Sequence, residues 1–539
     1  MTTVQKFPKM PDKEREDANP AIQLFGRRFY KGQTEVEYLA EFMLLFISKK
    51  KISGKEIHGV DNAEKWKGFP NSEELEKWKD EPLEYFPPLR LILKLFAFLG
   101  SSNLETRHNC HREQFKTILS ILRSRIQTNI SADKVLELLE QVLIGFEGIT
   151  NDRTWCTHVF LPVSPGLIAG ETIWGKVEGK KNSNLTWEEA IKGKKLFSFS
   201  KHDFMARGGE VLYLQLCNLF RRIRSQEIAD FEERIGYAPG TSADFQIRIE
   251  AGLKALLQSP PAPALDALAG WIEDAAPWTR EKIEGRKATC GWCPEKSWKE
   301  AYLFAYELAN ICEAIIDPLK KIEMLELCCI FQVLRSLCAQ SARYWNTLDS
   351  HNVRQFGGVC DFAWIITSPE TEDKSLKEAA KRNLARIQEM IHGALRNDQI
   401  DPDKKGSYKP GDEQGQELFM KLGKKIGFIA PWTGPGARFV LNDALTRYFV
   451  LALIQPGHRM RFISFQEILY RHYGMAANGN FLNRAIQWTY PNQNLNLHSS
   501  VQDWLEEKLT ATSFLIPLSD AVSLVHNPYG EGEGEGEEM

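Results

Sequence analysis

Residues 297–345 have the strongly helical sequence SWKEAYLFAYELANICEAIIDPLKKIEMLELCCIFQVLRSLCAQSARYW. Leu, Ile, Cys and Phe recur throughout this segment. If it forms a pair of helices, both helices are apolar on nearly every face. A helix of that kind is stable in water only when it is buried on every side. The sequence therefore predicts a central helix pair in a mainly α, multi-domain protein.

The overall composition indicates a globular chain without a dominant charge. At about 150 residues per domain, 539 residues predict three to four domains. Hydrophobic residues make up 43% and charged residues 26%, close to the average of soluble proteins, which excludes a largely disordered chain. The chain has 68 Lys and Arg and 71 Asp and Glu, for a net charge of −3. Any surface that binds nucleic acid must therefore be a local basic patch.

Neither a membrane nor an oxidising compartment is indicated. No apolar run reaches the roughly 18–20 residues that span a bilayer, and residues 1–17 lack the apolar region of a signal peptide. The ten cysteines are scattered, and Cys328 and Cys329 are adjacent in a predicted helix, which is typical of reduced thiols. We expect a cytoplasmic protein with no membrane partner.

Residues 1–150 are predicted to form an N-terminal helical domain. Thr34 and Glu37 have the spacing of a capping box at the start of a helix, and Ser131 can cap another helix at about 132–145. Further helices are expected at about 88–99 and 111–128. The Lys-, Glu- and Pro-rich stretch 49–87 lacks periodicity and predicts a long surface excursion.

Residues 151–258 are predicted to be an α+β segment, with its small β component near 155–200. Thr157–Val163 and Leu196–Phe199 are the candidate strands, and a helix is expected over Glu210–Ile228. The prolines of Ser259–Ala264 predict an extended linker and a domain boundary. A central helical domain over 265–430 follows, which contains the helix pair and a helix at about 376–396.

Residues 431–529 give the clearest local pattern. Helices are expected at about 442–454, 464–473, 480–488 and 501–509, with Ser464 and Glu467 as a second capping box and Gly474 as a C-cap. The apolar runs Ser513–Pro517 and Val522–His526 predict a terminal β-hairpin. Three helices and a hairpin favour a winged-helix-like module whose third helix enters the major groove of DNA. A small protein–protein module is the alternative.

Local charge supports the DNA hypothesis. Residues 431–500 contain six arginines and only two acids, Asp443 and Glu467. The resulting net charge of +4 suits contact with phosphate groups. The outward face of the third helix carries amide and guanidinium groups that match the edges of adenine and guanine. Residues 530–539 form an acidic tail with five glutamates, which is expected to be disordered and could compete with phosphate. The candidate nucleic-acid-binding residues are Arg438, Arg447, Arg459, Arg461, Asn483, Arg484 and Gln487.

A zinc site has one candidate pair of ligands. Cys290 and Cys293 form a CxxC motif, but tetrahedral zinc needs four ligands and the chain has no second CxxC. Cysteines on apolar helical faces also serve simply as small hydrophobic residues. The segment His108–His111 is predicted to be a helix N-terminus, and a metal site is the less favoured interpretation. No cofactor is expected, with zinc at the CxxC pair as the alternative.

Signatures of catalysis are missing from the sequence. Gly208 and Gly209 open a predicted helix and could present backbone N–H groups to an anion, but a simple glycine turn is the favoured interpretation. The chain has no P-loop, HExxH, GxSxG or kinase motif. Two sets of residues have the chemistry of a metal-dependent nuclease, namely Asp361 with Glu370 or Glu372 and Lys374, and Asp503 with Glu506 and Lys508.

Two segments resemble a known group of proteins. They are FGRRFY (25–30) with QT (33–34) and EYLAEF (37–42), and the terminal LSDA (518–521) with VHNPY (525–529). Both resemble large helical proteins encoded in bacterial antiphage defence islands, beside ATPases and DNA-modifying or DNA-cleaving partners. The resemblance covers roughly a tenth of the chain and includes no catalytic motif.

The resemblance implies an accessory role. The main hypothesis is a non-enzymatic subunit of a defence complex that binds DNA through its C-terminal module and docks protein partners such as an ATPase. One alternative is a purely structural protein–protein scaffold. The other is a metal-dependent hydrolase or nuclease whose site is assembled from residues distant in the sequence.

Overall fold

The protein is mainly helical with several small sheets, as the sequence predicts. The computed structural model describes residues 4–10, 19–27, 29–52, 55–56, 68–101, 109–148, 159–174, 186–192, 197–198, 205, 207–283, 285–345, 354–397, 400, 408–491, 504–519 and 522–531. The helices in these ranges are α1 (Pro20–Phe25), α2 (Glu35–Ile47), α3 (Ser72–Trp78), α4 (Leu91–Ser101), α5 (Asn109–Arg125), α6 (Ala132–Ile144), α7 (Trp187–Lys192), α8 (Gly208–Phe220), α9 (Gln226–Ile235), α10 (Phe245–Leu257), α11 (Pro261–Glu273), α12 (Pro277–Ile283), α13 (Trp298–Glu313), α14 (Pro318–Tyr344), α15 (Lys374–Ala394), α16 (Tyr408–Gln414), α17 (Gln416–Lys425), α18 (Asp443–Leu453), α19 (Phe462–Tyr473), α20 (Gly479–Thr489) and α21 (Trp504–Ala511).

The strands are short and belong to five separate sheets. They are β1 (Lys6–Phe7), β2 (Lys49–Ile52), β3 (Lys55–Glu56), β4 (Glu84–Phe86), β5 (Ile173–Trp174), β6 (Phe197–Ser198), β7 (Ala288–Thr289), β8 (Cys293–Pro294), β9 (Trp364–Thr367), β10 (Ile429–Ala430), β11 (Arg438–Val440), β12 (Arg459–Arg461), β13 (Met475–Ala476), β14 (Leu515–Ser519) and β15 (Val522–His526).

The predicted helix pair is confirmed and lies at the centre of the molecule. Helix α13 packs against α8, α10, α14 and α18, and α14 also contacts α1, α2, α15 and α17. Every residue of α13 from Glu300 to Cys312 is buried. Burial on all sides explains why this stretch shows no polar face.

Two of the sheets lie in the C-terminal half. The first has the order β10-β11-β9-β13, with β11 and β13 both parallel to β9, and α15 packs against it. The second has the order β12-β15-β14 and is antiparallel. The other three are β3-β2-β4-β7, β1-β8 and β5-β6, and the last of these contains the second predicted strand.

The helix-start signals at Thr34 and Ser131 are confirmed. The Glu37 carboxylate accepts the Thr34 N–H at 2.6 Å, and the Thr34 hydroxyl accepts the Glu37 N–H at 3.4 Å, which completes the capping box of α2. The Ser131 hydroxyl accepts the Lys134 N–H at the start of α6. Each of these two signals involves only residues three apart, so the local sequence is enough to show it.

Two other local predictions are wrong. The predicted extended linker Ser259–Ala264 is the start of a helix, because α11 begins at Pro261. Proline is tolerated in the first helical turn, where its missing N–H would have no intrahelical acceptor. The capping box at Ser464 is absent, since α19 already begins at Phe462.

Much of the predicted surface excursion at 49–87 is instead part of the core. Phe69, Trp78 and Tyr85 are buried, and β2 pairs with β4 to place this segment against α8 and the β7 strand. Residues 53–54 and 57–67 lie outside the described ranges. A few large aromatic side chains bury enough apolar surface to outweigh the many charges around them.

The first predicted strand, Thr157–Val163, is reduced to a single bridge. Phe160 bridges Glu147, and residues 161–163 form no strand, whereas 157–158 lie outside the described part of the chain. The predicted disordered tail at 532–539 also lies outside it.

Candidate nucleic-acid interface

The predicted C-terminal helices and hairpin are present, and they form a sheet with one further strand. The hairpin β14-β15 pairs Leu515 with Val525 and Ile516 with Leu524. Strand β12, which lies between α18 and α19 in the sequence, adds to the free side of β15. Helices α19 and α21 pack against this sheet, and both also contact α18. We call β12, β14, β15, α18, α19 and α21 the C-terminal unit.

Helix α20, the predicted reading helix, packs elsewhere. It contacts α15, β9 and β13, and it buries Leu482, Ile486 and Trp488. The Thr489 hydroxyl accepts a hydrogen bond of 2.9 Å from the Asn383 side chain on α15. The helices that contact the hairpin are α19, at β15, and α21, at β14.

The polar side chains of α20 are partly engaged with the protein. Arg484 is exposed, but its guanidinium donates to the Gln355 carbonyl at 3.0 Å and lies over the Tyr470 ring at 5.3 Å. Asn483 and Gln487 are half-buried. These three residues therefore share a helix without forming an open reading face.

Arg438 and Arg447 occupy different environments. The half-buried Arg438 side chain donates to the Thr367 hydroxyl at 3.2 Å and to the Pro369 carbonyl at 3.0 Å, so it fastens the loop after β9. Arg447 is exposed on α18. Arg438 is therefore engaged within the protein, whereas Arg447 is open to solvent.

Arg459 and Arg461 are the two candidates that the structure brings together. Both are exposed on β12, which is one edge of the three-stranded sheet. Because they are two residues apart on a strand, their side chains project from the same face. They are opposite His526 and Leu524 of β15, and His458, just before the strand, is exposed as well. None of the residues in the three strands is acidic.

The start of the acidic tail lies beside this strand. Gly530 packs on Gly457, in the turn that leads into β12, where an added Cβ on Gly457 would be 3.4 Å from the Gly530 Cα. The Asn527 carbonyl accepts a hydrogen bond of 2.9 Å from the Gly457 N–H, which holds the two segments together. Glu531 is exposed at this point. The described part of the chain therefore ends close to the turn that precedes β12.

The CxxC pair is buried against strands from the N-terminal part of the chain. Cys293 belongs to β8, and the Cys290 N–H donates to the Leu83 carbonyl at 2.8 Å. Burial raises the pKa of the Cys290 thiol and raises that of Cys293 to about 12, which favours thiols over the thiolates that bind zinc. Within the described ranges, the His, Cys, Asp and Glu side chains form no group of three suited to a metal ion.

The two proposed sets of nuclease residues lie in different places, the first around strand β9 and the second on helix α21. Asp361 precedes β9 and Glu370 follows it, so a strand of about 13 Å separates them. Lys508 pairs with Asp443, and Glu506 accepts a hydrogen bond of 2.5 Å from the Ser523 hydroxyl. Asp503 lies outside the described ranges.

The glycine pair at the start of α8 binds an anionic side chain of the protein itself. The Glu41 carboxylate accepts the Arg207 N–H at 3.1 Å and the Gly209 N–H at 2.9 Å. The Gln33 side chain accepts the Gly208 N–H at 3.2 Å. A buried glutamate from α2 thus occupies the helix N-terminus where the sequence allowed an external anion.

The basic residues at the end of α8 are paired as well. Arg222 contacts Glu227 and Glu295 at 2.7 Å each, and Arg221 contacts Glu295 at 3.3 Å. Both arginines are half-buried. These ion pairs join the end of α8 to Glu227 and Glu295.

A buried charged network, which no pattern in the sequence indicates, lies between the central helix pair and the C-terminal unit. The Glu307 carboxylate on α13 contacts the Arg335 guanidinium on α14 and accepts from Tyr448 of α18 at 2.9 Å. His472 of α19 lies 2.6 Å from the same carboxylate through Nε2, and its Nδ1 is 3.2 Å from the Tyr237 hydroxyl. The network joins α13 and α14 to α18 and α19.

The charges of this network depend on one another. Burial by itself would raise the pKa of Glu307, but Arg335, His472 and Tyr448 together lower it, so the carboxylate stays ionised. Burial lowers the pKa of His472 in spite of the adjacent carboxylate, which keeps the imidazole neutral. The one buried positive charge next to Glu307 is therefore that of Arg335, among the residues that the structure describes.

Comparison with other proteins identifies no relative. No family model matches the chain, and no curated protein or solved structure is significantly similar to it. In the part of the chain that the structure describes, every cysteine is buried and outside any disulfide. No helix in that part is long and apolar enough to cross a membrane.

Proposed function

We propose that this protein is a non-catalytic subunit that binds duplex DNA through the β12 edge of its C-terminal unit. The observation that supports it is the pair of exposed arginines, Arg459 and Arg461, on one face of a sheet whose strands contain no acid. Guanidinium groups bind phosphate oxygens in a bidentate manner and remain charged at any physiological pH. Docking of partner proteins, which the resemblance implies, belongs to the same proposal.

The chemistry of the unit favours contact with the DNA backbone over reading of bases. Helix α21, next to the hairpin, carries Glu506 and Glu507 in its first turn, which would repel phosphates at a groove. Arg484 on α20 is engaged with Gln355. Binding that rests on phosphate contacts is strongly salt-dependent and has little sequence preference.

Removing both β12 arginines is expected to weaken DNA binding. For Arg459→Ala/Arg461→Ala, we expect the slope of log K against log salt to fall by about 1.8, or 0.9 for each phosphate contact. The affinity near 0.1 M salt should fall roughly 10- to 30-fold. The measurement is fluorescence anisotropy of a labelled duplex of about 30 base pairs, titrated with the full chain from about 50 to 200 mM salt.

The matched control removes two arginines of similar exposure. Arg123 on α5 and Arg280 on α12 are each half exposed, so Arg123→Ala/Arg280→Ala changes the net charge equally outside the C-terminal unit. Charged residues on an edge strand also prevent strands of different molecules from pairing, so size-exclusion chromatography must show the β12 variant to be monodisperse. If the slope of log K against log salt is the same for the two double variants, β12 is not part of the interface. If the wild type does not bind the duplex, the proposal is wrong.

The acidic tail is expected to oppose the same interaction. A chain ending at Gly530 loses five carboxylates that begin beside the turn before β12. In the titration above, this truncated chain should bind the duplex more tightly than the full chain, and the difference should shrink as salt rises. Unchanged or weaker binding by the truncated chain would show that the tail does not compete with phosphate.

A further inference from the structure

Arg386 on α15 is a buried cation without a counter-charge. Its side chain is only 9% exposed, yet its guanidinium makes no hydrogen bond or ion pair with any residue that the structure describes. Its Nε is completely enclosed and has no acceptor. A charge taken out of water is normally paired, because its lost hydration must be replaced. The position of Arg386 is therefore unfavourable unless an anion reaches it.

Two tryptophan rings surround this guanidinium. The Cζ atom of Arg386 lies 5.2 Å from the centre of the Trp345 ring, directly after α14, and 5.3 Å from that of the Trp488 ring on α20. The electron-rich face of an indole ring attracts a cation, which offsets part of the cost of burial. The rings offer no lone pair to the terminal N–H groups, so these groups still need an acceptor.

Both rings are held in place by the rest of the fold. The Trp488 indole N–H donates to the Asp361 carbonyl at 3.2 Å, and its side chain is fully buried. The Trp345 ring packs against α15 at Gly393, where an added Cβ would come within 2.6 Å of the Trp345 Nε1. The surroundings of Arg386 are therefore preorganised, as the walls of a binding site are.

Arg396, a few residues after α15, shows what Arg386 lacks. Its guanidinium lies 4.7 Å from the centre of the Tyr408 ring, so it also has an aromatic contact. In addition it donates to both carboxylate oxygens of Asp412, at 2.9 and 2.8 Å. Arg386 has the aromatic contacts of such an arrangement without the carboxylate.

The charges near Arg386 do not balance it. Arg382, one helical turn earlier on α15, has its own ion pair with Glu389 at 3.1 Å. Burial lowers the pKa of Arg386, although Glu389 raises it, and Arg382 lowers it further. Because Glu389 is already shared with Arg382, one positive charge is left over.

We propose that Arg386, with Trp345 and Trp488 beside it, is a binding site for the carboxylate group of a ligand. The enclosed Nε leaves Nη1 and Nη2 to hold the ligand, and this fork matches the two oxygens of a carboxylate. The single unmatched charge also fits a carboxylate, whereas a phosphate group carries roughly 1.5–2 negative charges at neutral pH. The further oxygens of a phosphate would meet tryptophan ring faces, which are themselves partly negative.

Saturation-transfer NMR of sodium acetate with the full chain tests the proposal. We expect the wild type to bind acetate with a dissociation constant on the order of millimolar. Arg386→Met should bind it at least about tenfold more weakly, because the charged hydrogen bonds are lost. Arg396→Met is the matched control, since it removes a ring-stacked arginine that already has its own carboxylate, and it should bind acetate like the wild type.

Arg386→Lys guards against a variant that fails to fold. It keeps the charge but loses the fork, so it should also bind acetate more weakly. This variant decides the test if circular dichroism shows Arg386→Met to be unfolded. Absence of acetate binding by the wild type, or equal binding by the wild type and the folded Arg386 variants, would overturn the proposal.

Competition at constant ionic strength identifies the source of the carboxylate. A capped Gly-Glu-Gly peptide that displaces acetate at concentrations below that of acetate itself would assign the site to an acidic side chain of another protein. A weaker peptide would assign it to a small carboxylate. Inorganic phosphate should displace no more acetate than chloride does. Phosphate that binds more tightly than acetate would contradict the assignment to a carboxylate.

Discussion

Replacing Glu307 with glutamine is expected to lower the free energy of unfolding by about 3–5 kcal/mol. Glutamine preserves the shape of the side chain but removes the charge that faces Arg335, which is fully buried on α14. A buried guanidinium without its carboxylate pays the full cost of leaving water. Urea denaturation of the full chain, followed by circular dichroism, measures the change.

A second pair of variants shows that the effect comes from the buried charge. Glu323→Gln breaks the exposed ion pair with Lys320, whose side chains are both more than half exposed, and should cost less than about 0.5 kcal/mol. Glu307→Leu combined with Arg335→Met removes both buried charges and should destabilise less than Glu307→Gln alone. A Glu307→Gln variant no less stable than Glu323→Gln would show that the network does not hold the central pair to α18 and α19.

Gly209→Ala is expected to destabilise the protein by about 1–3 kcal/mol. A Cβ at this position would overlap the Tyr38 carbonyl oxygen and lie 2.7 Å from the Phe42 backbone nitrogen. Both are backbone atoms of α2, so the helix itself must move, and the hydrogen bond from Gly209 to Glu41 would lengthen. The urea midpoint of the variant measures the loss.

The matched substitution, Gly270→Ala, is expected to change the stability in the opposite direction. Gly270 lies within α11, and an added Cβ there meets no atom within 4 Å. Gly270→Ala should stabilise the protein by about 0.5–1 kcal/mol, because alanine loses less backbone entropy in a helix. If the two variants shifted the midpoint equally, the close approach of α2 and α8 would not be what requires glycine at position 209.

Local chemistry made much of the fold predictable from the sequence. The capping box of Thr34 and Glu37 requires only residues three apart, and Gly474 adopts the left-handed C-cap conformation expected of glycine after a helix. The burial of α13 and α14 follows from composition alone. The hairpin β14-β15 is bounded by its own apolar runs.

Features that depend on distant residues were not predictable. Nothing near Arg459 signals that β12 pairs with β15, which lies more than 60 residues later in the chain. The spacing of α20 is that of any amphipathic helix, so it does not reveal that α15 and β9 are its partners. The same holds for the glycine pair, because only the fold brings the Glu41 carboxylate to it.

The prolines at 260 and 261 show another limit of predicting structure from the sequence. Proline has the same effect on an extended linker and on the first turn of a helix, since both keep φ near −65°. The choice between them depends on the apolar face that follows, where Leu265, Ala269 and Ile272 are buried. A pattern of helical spacing after a proline pair should therefore be read as a helix start.

Hydrogen–deuterium exchange of the full chain, measured with and without duplex DNA, locates the DNA-binding surface. We expect DNA to slow exchange in peptides that cover β12 and β15, whose backbones pair at the proposed interface. Peptides from α20 and from α6 should exchange at the same rate in both samples. Protection confined to α20, with β12 and β15 unchanged, would show that DNA binds at α20 and not at the β12 edge.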